Sequence, residues 1–241
     1  MFHFNKDKFD FWEIYESIKK FYPIGISKDE SQFFQSYPKF KDLESIIIEN
    51  IHDESNYKSR WEDFTTEIQN TIQKPVIGTT YGQAPCFSAY LELEKNAAHD
   101  MTRFKEIYFF VSLVGPYYTV IGQDRNEIRV ENKLLGSTSY LIVSPEIEYA
   151  ESFNFICNAI EKQFDKFKFI PFWVCKQTIN GLDAKYSHEH LNSIFNVLFN
   201  NQIDLNLQTF GNDSYKSENW IKEGYIHKGG QWVIYPKLKD T

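Results

Sequence analysis

The feature that most constrains this 241-residue chain is a change of hydrophobic period near residue 76. Before it, apolar residues recur every three or four positions. Phe11, Ile14, Tyr15, Ile18, Phe21 and Tyr22 form one such stripe. That spacing places them on a single face of an amphipathic helix. Pro23 and Gly25 end it. Residues 27–40 are polar, contain Pro38 and read as a loop. A second short helix is expected over Asp42–Asn50, with Leu43, Ile46 and Ile47 inward. A third runs from about Ser55 to Ile72, carrying Trp61, Phe64, Ile68 and Ile72 on one stripe. Lys74-Pro75 closes it, because the residue before a proline disfavours helical geometry.

After residue 76 the period falls to two. Cys86 to Glu94 sets Phe87, Ala89, Leu91 and Leu93 against Ser88, Tyr90, Glu92 and Glu94, the pattern of a half-buried strand. Phe104–Val114 is denser in apolar and β-branched residues and reads as a central strand, covered on both faces. Gly115-Pro116 turns the chain and Tyr117–Ile121 returns. Gly122-Gln123-Asp124-Arg125-Asn126 reads as a second turn, followed by strands at Glu127–Val130 and Ser139–Val143. Connections this short suit antiparallel neighbours, since parallel ones need long crossovers. Helical spacing then resumes. Ser144-Pro145-Glu146 predicts a helix start, with Phe153, Ile156, Ile160, Phe164 and Phe167 buried. Ser187 is expected to cap a further helix through Leu191, Ile194, Phe195, Leu198 and Phe199. Ser217–Glu223 reads as a short helix with Gly224 as its C-cap. Tyr225–His227 and Trp232–Tyr235 read as a terminal hairpin.

The expected fold class is therefore α+β: an antiparallel β-meander of about five strands packed against N-terminal and C-terminal helices, which cover one sheet face. One domain is expected over 1–241: a helical part (1–75), the meander (76–144), and a second helical part (145–241) ending in the hairpin. No apolar run reaches signal-peptide or membrane-spanning length, so a cytoplasmic chain without membrane contact is expected.

Charge narrows the partners. The net charge is −7, from 26 Lys plus Arg against 33 Asp plus Glu. Residues 1–70 hold 9 basic and 14 acidic side chains, a net of −5, while residues 151–241 hold 10 of each. An acidic chain is poorly suited to nucleic acid, which needs clustered Lys and Arg. Lys162, Lys166, Lys168 and Lys176 form a local basic stripe, read as a solvated face. Aromatic residues reach 17%, but only 4 of the 26 basic residues are Arg. That bias matches an AT-rich coding sequence, so aromatic excess is not evidence of a ligand site.

Two segments are candidate sites. His52-Asp53-Glu54 with Glu62 and Asp63 is an acidic knot beside Tyr57 and Trp61. Asp53, Glu54, Tyr57, Trp61, Glu62 and Asp63 are its candidate partner-binding residues. Capping of the following helix explains Asp53 and Glu54 as well, since acids suit the positive helix end. The second is Gly78-Thr79-Thr80-Tyr81-Gly82-Gln83-Ala84-Pro85-Cys86, a loop in which short polar groups converge. Gly78, Thr79, Thr80, Tyr81, Gln83 and Cys86 are its candidate ligand residues. The competing reading is an ordinary turn in which the glycines supply positive φ. The loop lacks the Lys-Ser/Thr ending of a phosphate-binding loop. Cys86, Cys157 and Cys175 have no metal spacing and read as buried reduced thiols. His188-Glu189-His190 would splay its imidazoles apart on a helix, so no metal and no cofactor are expected.

Three functional readings follow. The first is a non-catalytic cytosolic module that binds a basic protein, one form of which is a bacterial immunity-type protein that neutralises a basic toxin. The second is a hydrolase or transferase with its site around residues 78–86. The third is a structural component of a larger assembly.

Overall fold

The computed structural model describes residues 8–26, 39–131, 133–184, 186 and 190–222, together with the backbone of 225–228 and 231–234. Its centre is an antiparallel meander of β1 (Val76–Gly78), β2 (Cys86–Ala98), β3 (Met101–Ser112), β4 (Tyr117–Val130) and β5 (Lys133–Ile142). Two short strands join in parallel: β6 (Lys168–Phe169) beside β4, and β7 (Gln208–Phe210) beside β5. The α+β class and the meander expected from the sequence are present. The terminal hairpin is present as well, pairing β8 (Tyr225–Lys228) with β9 (Gln231–Ile234).

The second expected turn is not a turn. Residues 122–126 lie inside β4, paired with β3 on one side and β5 on the other. Their polarity serves cross-strand ion pairs. Arg103 reaches Asp124 at 2.6 Å, and Arg125 reaches Glu106 at 3.6 Å from the opposite face. Gly122 is small because its neighbours are close: a Cβ there would stand 2.9 Å from Ile142 Cβ and 3.0 Å from Tyr149. A glycine followed by charged residues thus resembles a turn while marking a crowded strand centre.

Helices cover both faces of the sheet, not one. On one face Phe87, Phe109 and Val120 pack with Trp61, Phe64 and Ile68 and with Phe153, Ile156 and Ile160 of the Ala150–Gln163 helix. On the other, Phe110, Ile121 and Leu141 pack with Ile14 and Ile18 of the Trp12–Phe21 helix and with Phe195 and Leu198. Dense apolar spacing along β3 already implies burial on both sides. Past the helices, β3, β4 and β5 run on to an apolar tip, where Met101 stands opposite Ile128 and Leu135 is 68% exposed.

Two helix starts differ from expectation. Ser144 does not cap a helix: its hydroxyl accepts the Asn212 N–H at 2.8 Å and bonds Glu146 at 3.0 Å. The chain enters instead through a 3-10 turn, Ile147–Tyr149. The later helix is shorter than expected, Ile194–Leu198, and Ser193 caps it by accepting the Asn196 N–H at 3.1 Å. Leu191 lies before it; Ser187 lies outside the described residues. Ser217–Trp220 is one 3-10 turn, while Glu223 and Gly224 also lie outside the described residues.

Candidate functional site

Residues 39–72 form an almost unbroken helical run built of α-helix (Lys39–Ile47, Glu54–Tyr57, Asp63–Ile72) and two π-helical turns (Ile48–His52, Lys58–Glu62). Each π turn adds a residue to the helical repeat, so the buried stripe changes course there. Asp53 marks the one break. It accepts the Asn56 N–H at 2.9 Å and the Ser55 hydroxyl at 2.8 Å, capping the next turn. Those bonds hold its carboxyl below the usual carboxylate range.

The acidic side chains of this run face solvent. Glu49, Asp53, Glu54, Glu62, Asp63 and Glu67 are all exposed. None of the six forms an ion pair with a described residue. The run's own cations over 49–67 are only Lys58 and Arg60, leaving four uncompensated charges. Several acids in or against the sheet are paired instead: Glu94 of β2 and Glu148 of the Ile147–Tyr149 turn both meet Lys105, at 3.0 and 2.7 Å, and Glu127 meets Arg129 at 2.8 Å.

Trp61 does not belong to this surface. It is 1% exposed, stacked on Phe87 with ring centres 5.3 Å apart and 12° between planes. Its position in the second π turn points it into the sheet core, so it holds the acidic run in place without meeting a partner. Tyr57 is half-buried over Phe87, and desolvation raises its phenol pKa. Of the six residues assigned from sequence, Asp53, Glu54, Glu62 and Asp63 are the exposed ones.

The 78–86 loop also divides. Thr79 and Thr80 spend their hydroxyls on β2: Thr79 Oγ1 donates to Ser88 Oγ at 3.0 Å, and Thr80 Oγ1 accepts the Ser88 N–H at 3.0 Å. Gly78 is the last residue of β1, opposite Ala89. Neither Gly78 nor Gly82 has positive φ, so the glycines do not serve the expected turn geometry. Gly82 is small because His52 crosses it: a Cβ would stand 3.1 Å from the imidazole. The His52 Nε2 bonds the Gly82 carbonyl at 2.7 Å, which requires that nitrogen to carry the proton.

That bond brings the two sequence candidates together. Between the loop and the Lys39–His52 helical turns lies a cleft of about 350 Å³. Phe40, Leu43, Ile47, Ile48 and Pro85 supply most of its lining, with Tyr22 and Tyr186 as aromatic walls. Glu44, His52 and Gln83 are its polar members. Tyr81 is 45% exposed and sets its ring edge-on to the lining Tyr186 at 6.4 Å. Sequence reasoning had no signal for Tyr186, or for the helix as the opposite wall, because both contacts are long-range.

Cys86 is absent from the cleft lining and is 0% exposed. Its sulfur accepts the Asn200 amide N–H at 3.7 Å, and burial raises its pKa. Burial likewise pushes the Cys157 and Cys175 thiols up to about 12. Thiolate is the reactive form, so all three are inert by both access and ionisation. The native protein is expected to leave its three thiols unmodified by a disulfide reagent over hours, and to release three equivalents on unfolding in guanidinium. Rapid labelling of one thiol in the folded state would contradict this arrangement.

Among the described residues no group of three or more His, Cys, Asp and Glu is placed to hold a metal ion. His190 is engaged with Asp183 at 2.6 Å, while His188 and Glu189 lie outside the described residues. The basic stripe is dispersed: Lys168 pairs with Glu13 at 2.6 Å, Lys162 lies on the Ala150–Gln163 helix, and Lys176 follows the Phe172–Cys175 turn. No helix among the described residues is long and apolar enough to cross a membrane. No known protein family, curated protein or solved structure matches the chain.

Proposed function

We propose that this protein is a non-catalytic binding module that engages a basic protein through the helical surface of residues 49–67. One observation carries the reading: six exposed carboxylates stand within that run, none ion-paired to a described residue. Unpaired like charges repel one another, and beyond the helix cap made by Asp53 no bond or ion pair among the described residues offsets that repulsion. A cationic partner gains a field that speeds encounter and orients docking. The acids are also rigidly presented, because Trp61, Phe64 and Ile68 anchor the opposite side of the same run. A bacterial immunity-type protein that neutralises a cationic toxin is one form of this function, and residence in the cytoplasm suits it.

The test is recovery of a cationic protein from the cell of origin at low salt, followed by affinity measured against ionic strength. Screening at a Debye length of ~8–10 Å should weaken the complex steeply between 50 and 300 mM salt. A tight complex whose affinity is indifferent to salt would count against the reading.

A further inference from the structure

We infer that the cleft between the Lys39–His52 helical turns and the Tyr81–Pro85 loop receives an aromatic side chain of that basic partner; this rests on the binding reading above. Three observations converge on it. The cleft is preformed and apolar, and its volume of about 350 Å³ suits one large side chain. Of its aromatic walls Tyr186 is the partly exposed one, with Tyr22 and Phe40 buried, and an aromatic wall packs favourably edge-on against a ring guest. Carboxylates are near: Glu44 lines the cleft, and the exposed Glu49, Asp53 and Glu54 are chain neighbours of the lining residues Ile48 and His52.

The surface around the mouth supports a protein partner. Ile48, a lining residue, is 60% exposed, and Tyr81, 45% exposed, contacts the lining Tyr186, so two large side chains near the cleft stand in solvent. An apolar pocket in the same helical run as a set of exposed carboxylates matches the usual division of an interface. The buried centre supplies most of the binding energy, and peripheral charges supply orientation and encounter rate. The guest with the matching chemistry is a Trp, Tyr or Phe flanked by Lys or Arg. The His52–Gly82 bond braces the helix against the loop, so the cleft keeps its width without the guest.

Three capped pentapeptides test this with the intact protein, by amide-shift titration. They are Lys-Lys-Trp-Lys-Lys, Lys-Lys-Ala-Lys-Lys and Gly-Gly-Trp-Gly-Gly. The first should bind at least tenfold more tightly than either of the others. It should shift the amides of Leu43, Ile48, His52 and Gly82. Ile48→Asp, at an exposed position that leaves the core intact, should erase the advantage of tryptophan over alanine. Equal binding of the two lysine peptides, or shifts confined to other parts of the molecule, would overturn the cleft proposal and leave the acidic-surface reading standing. Equal binding of the two tryptophan peptides would instead remove the acidic surface from recognition, and with it the basic partner proposed here.

Discussion

Trp61→Ala is expected to cost about 3–5 kcal/mol of folding stability, the usual range for truncating a fully buried large aromatic residue. The indole is 1% exposed and lies against four other rings: Phe64, Phe87, Phe109 and Phe164. Its removal leaves a void at the junction of the helical run, the sheet and the Ala150–Gln163 helix. Trp61→Phe should be far milder. The indole Nε1 is buried without a hydrogen-bond partner among the described residues, so phenylalanine gives up no bond to them. Urea unfolding of both variants checks this. The alanine variant should lose much of its midpoint, and the phenylalanine variant no more than about 1–2 kcal/mol. Equal losses would mean that the nitrogen, and not the ring volume, matters at this site.

Gly122→Val is expected to cost at least 1–3 kcal/mol, the range for overpacking a filled core. The Cβ itself would stand 2.9 Å from Ile142 and 3.0 Å from Tyr149, and two methyl groups would follow. Valine otherwise favours strands, so intrinsic propensity alone points towards stabilisation. A loss of stability in thermal and urea unfolding therefore separates a crowded strand centre from an exposed turn, where valine would be nearly neutral.

The same residue shows how far the sequence could be read. Period alone located the helices near 12–21 and 63–72 and the alternating strand from Cys86, because local burial repeats with the backbone. Period could not distinguish turn polarity from strand polarity at 122–126. The difference lies in Arg103 and Glu106, distant in sequence and adjacent in space. Covering of both faces was half legible in the dense apolar run of β3, but which segments cover them was not. Helix starts failed for a related reason. Ser144 had a competing partner in Asn212, 68 residues away, and Ser193 capped where Ser187 had been expected.

The candidate site was legible as charge and illegible as shape. Glu54, Glu62 and Asp63 lie in solvent, as polar residues between apolar stripe positions must. Trp61 sits among them in sequence but follows the apolar stripe it shares with Phe64 and Ile68 inward, and that stripe outweighs its acidic neighbours. The cleft needed the fold. His52 and Gly82 are 30 residues apart, and nothing in either segment announces the bond between them. Cys86 looked like the end of a functional loop, whereas β2 begins there and buries it.

The most direct measurement of the central claim is a charge reversal with a matched control. One variant converts Glu54, Glu62, Asp63 and Glu67 to lysine. The control converts four exposed acids outside the run, Glu131, Glu151, Asp204 and Glu218, giving the same change in net charge. Both are confirmed folded by circular dichroism, and both are titrated against the cationic partner at 100 mM salt. The helical-run variant should lose about a hundredfold in affinity, mostly through a slower on-rate, and the control only a few-fold. Equal affinities for the two variants would contradict a docking surface at residues 49–67.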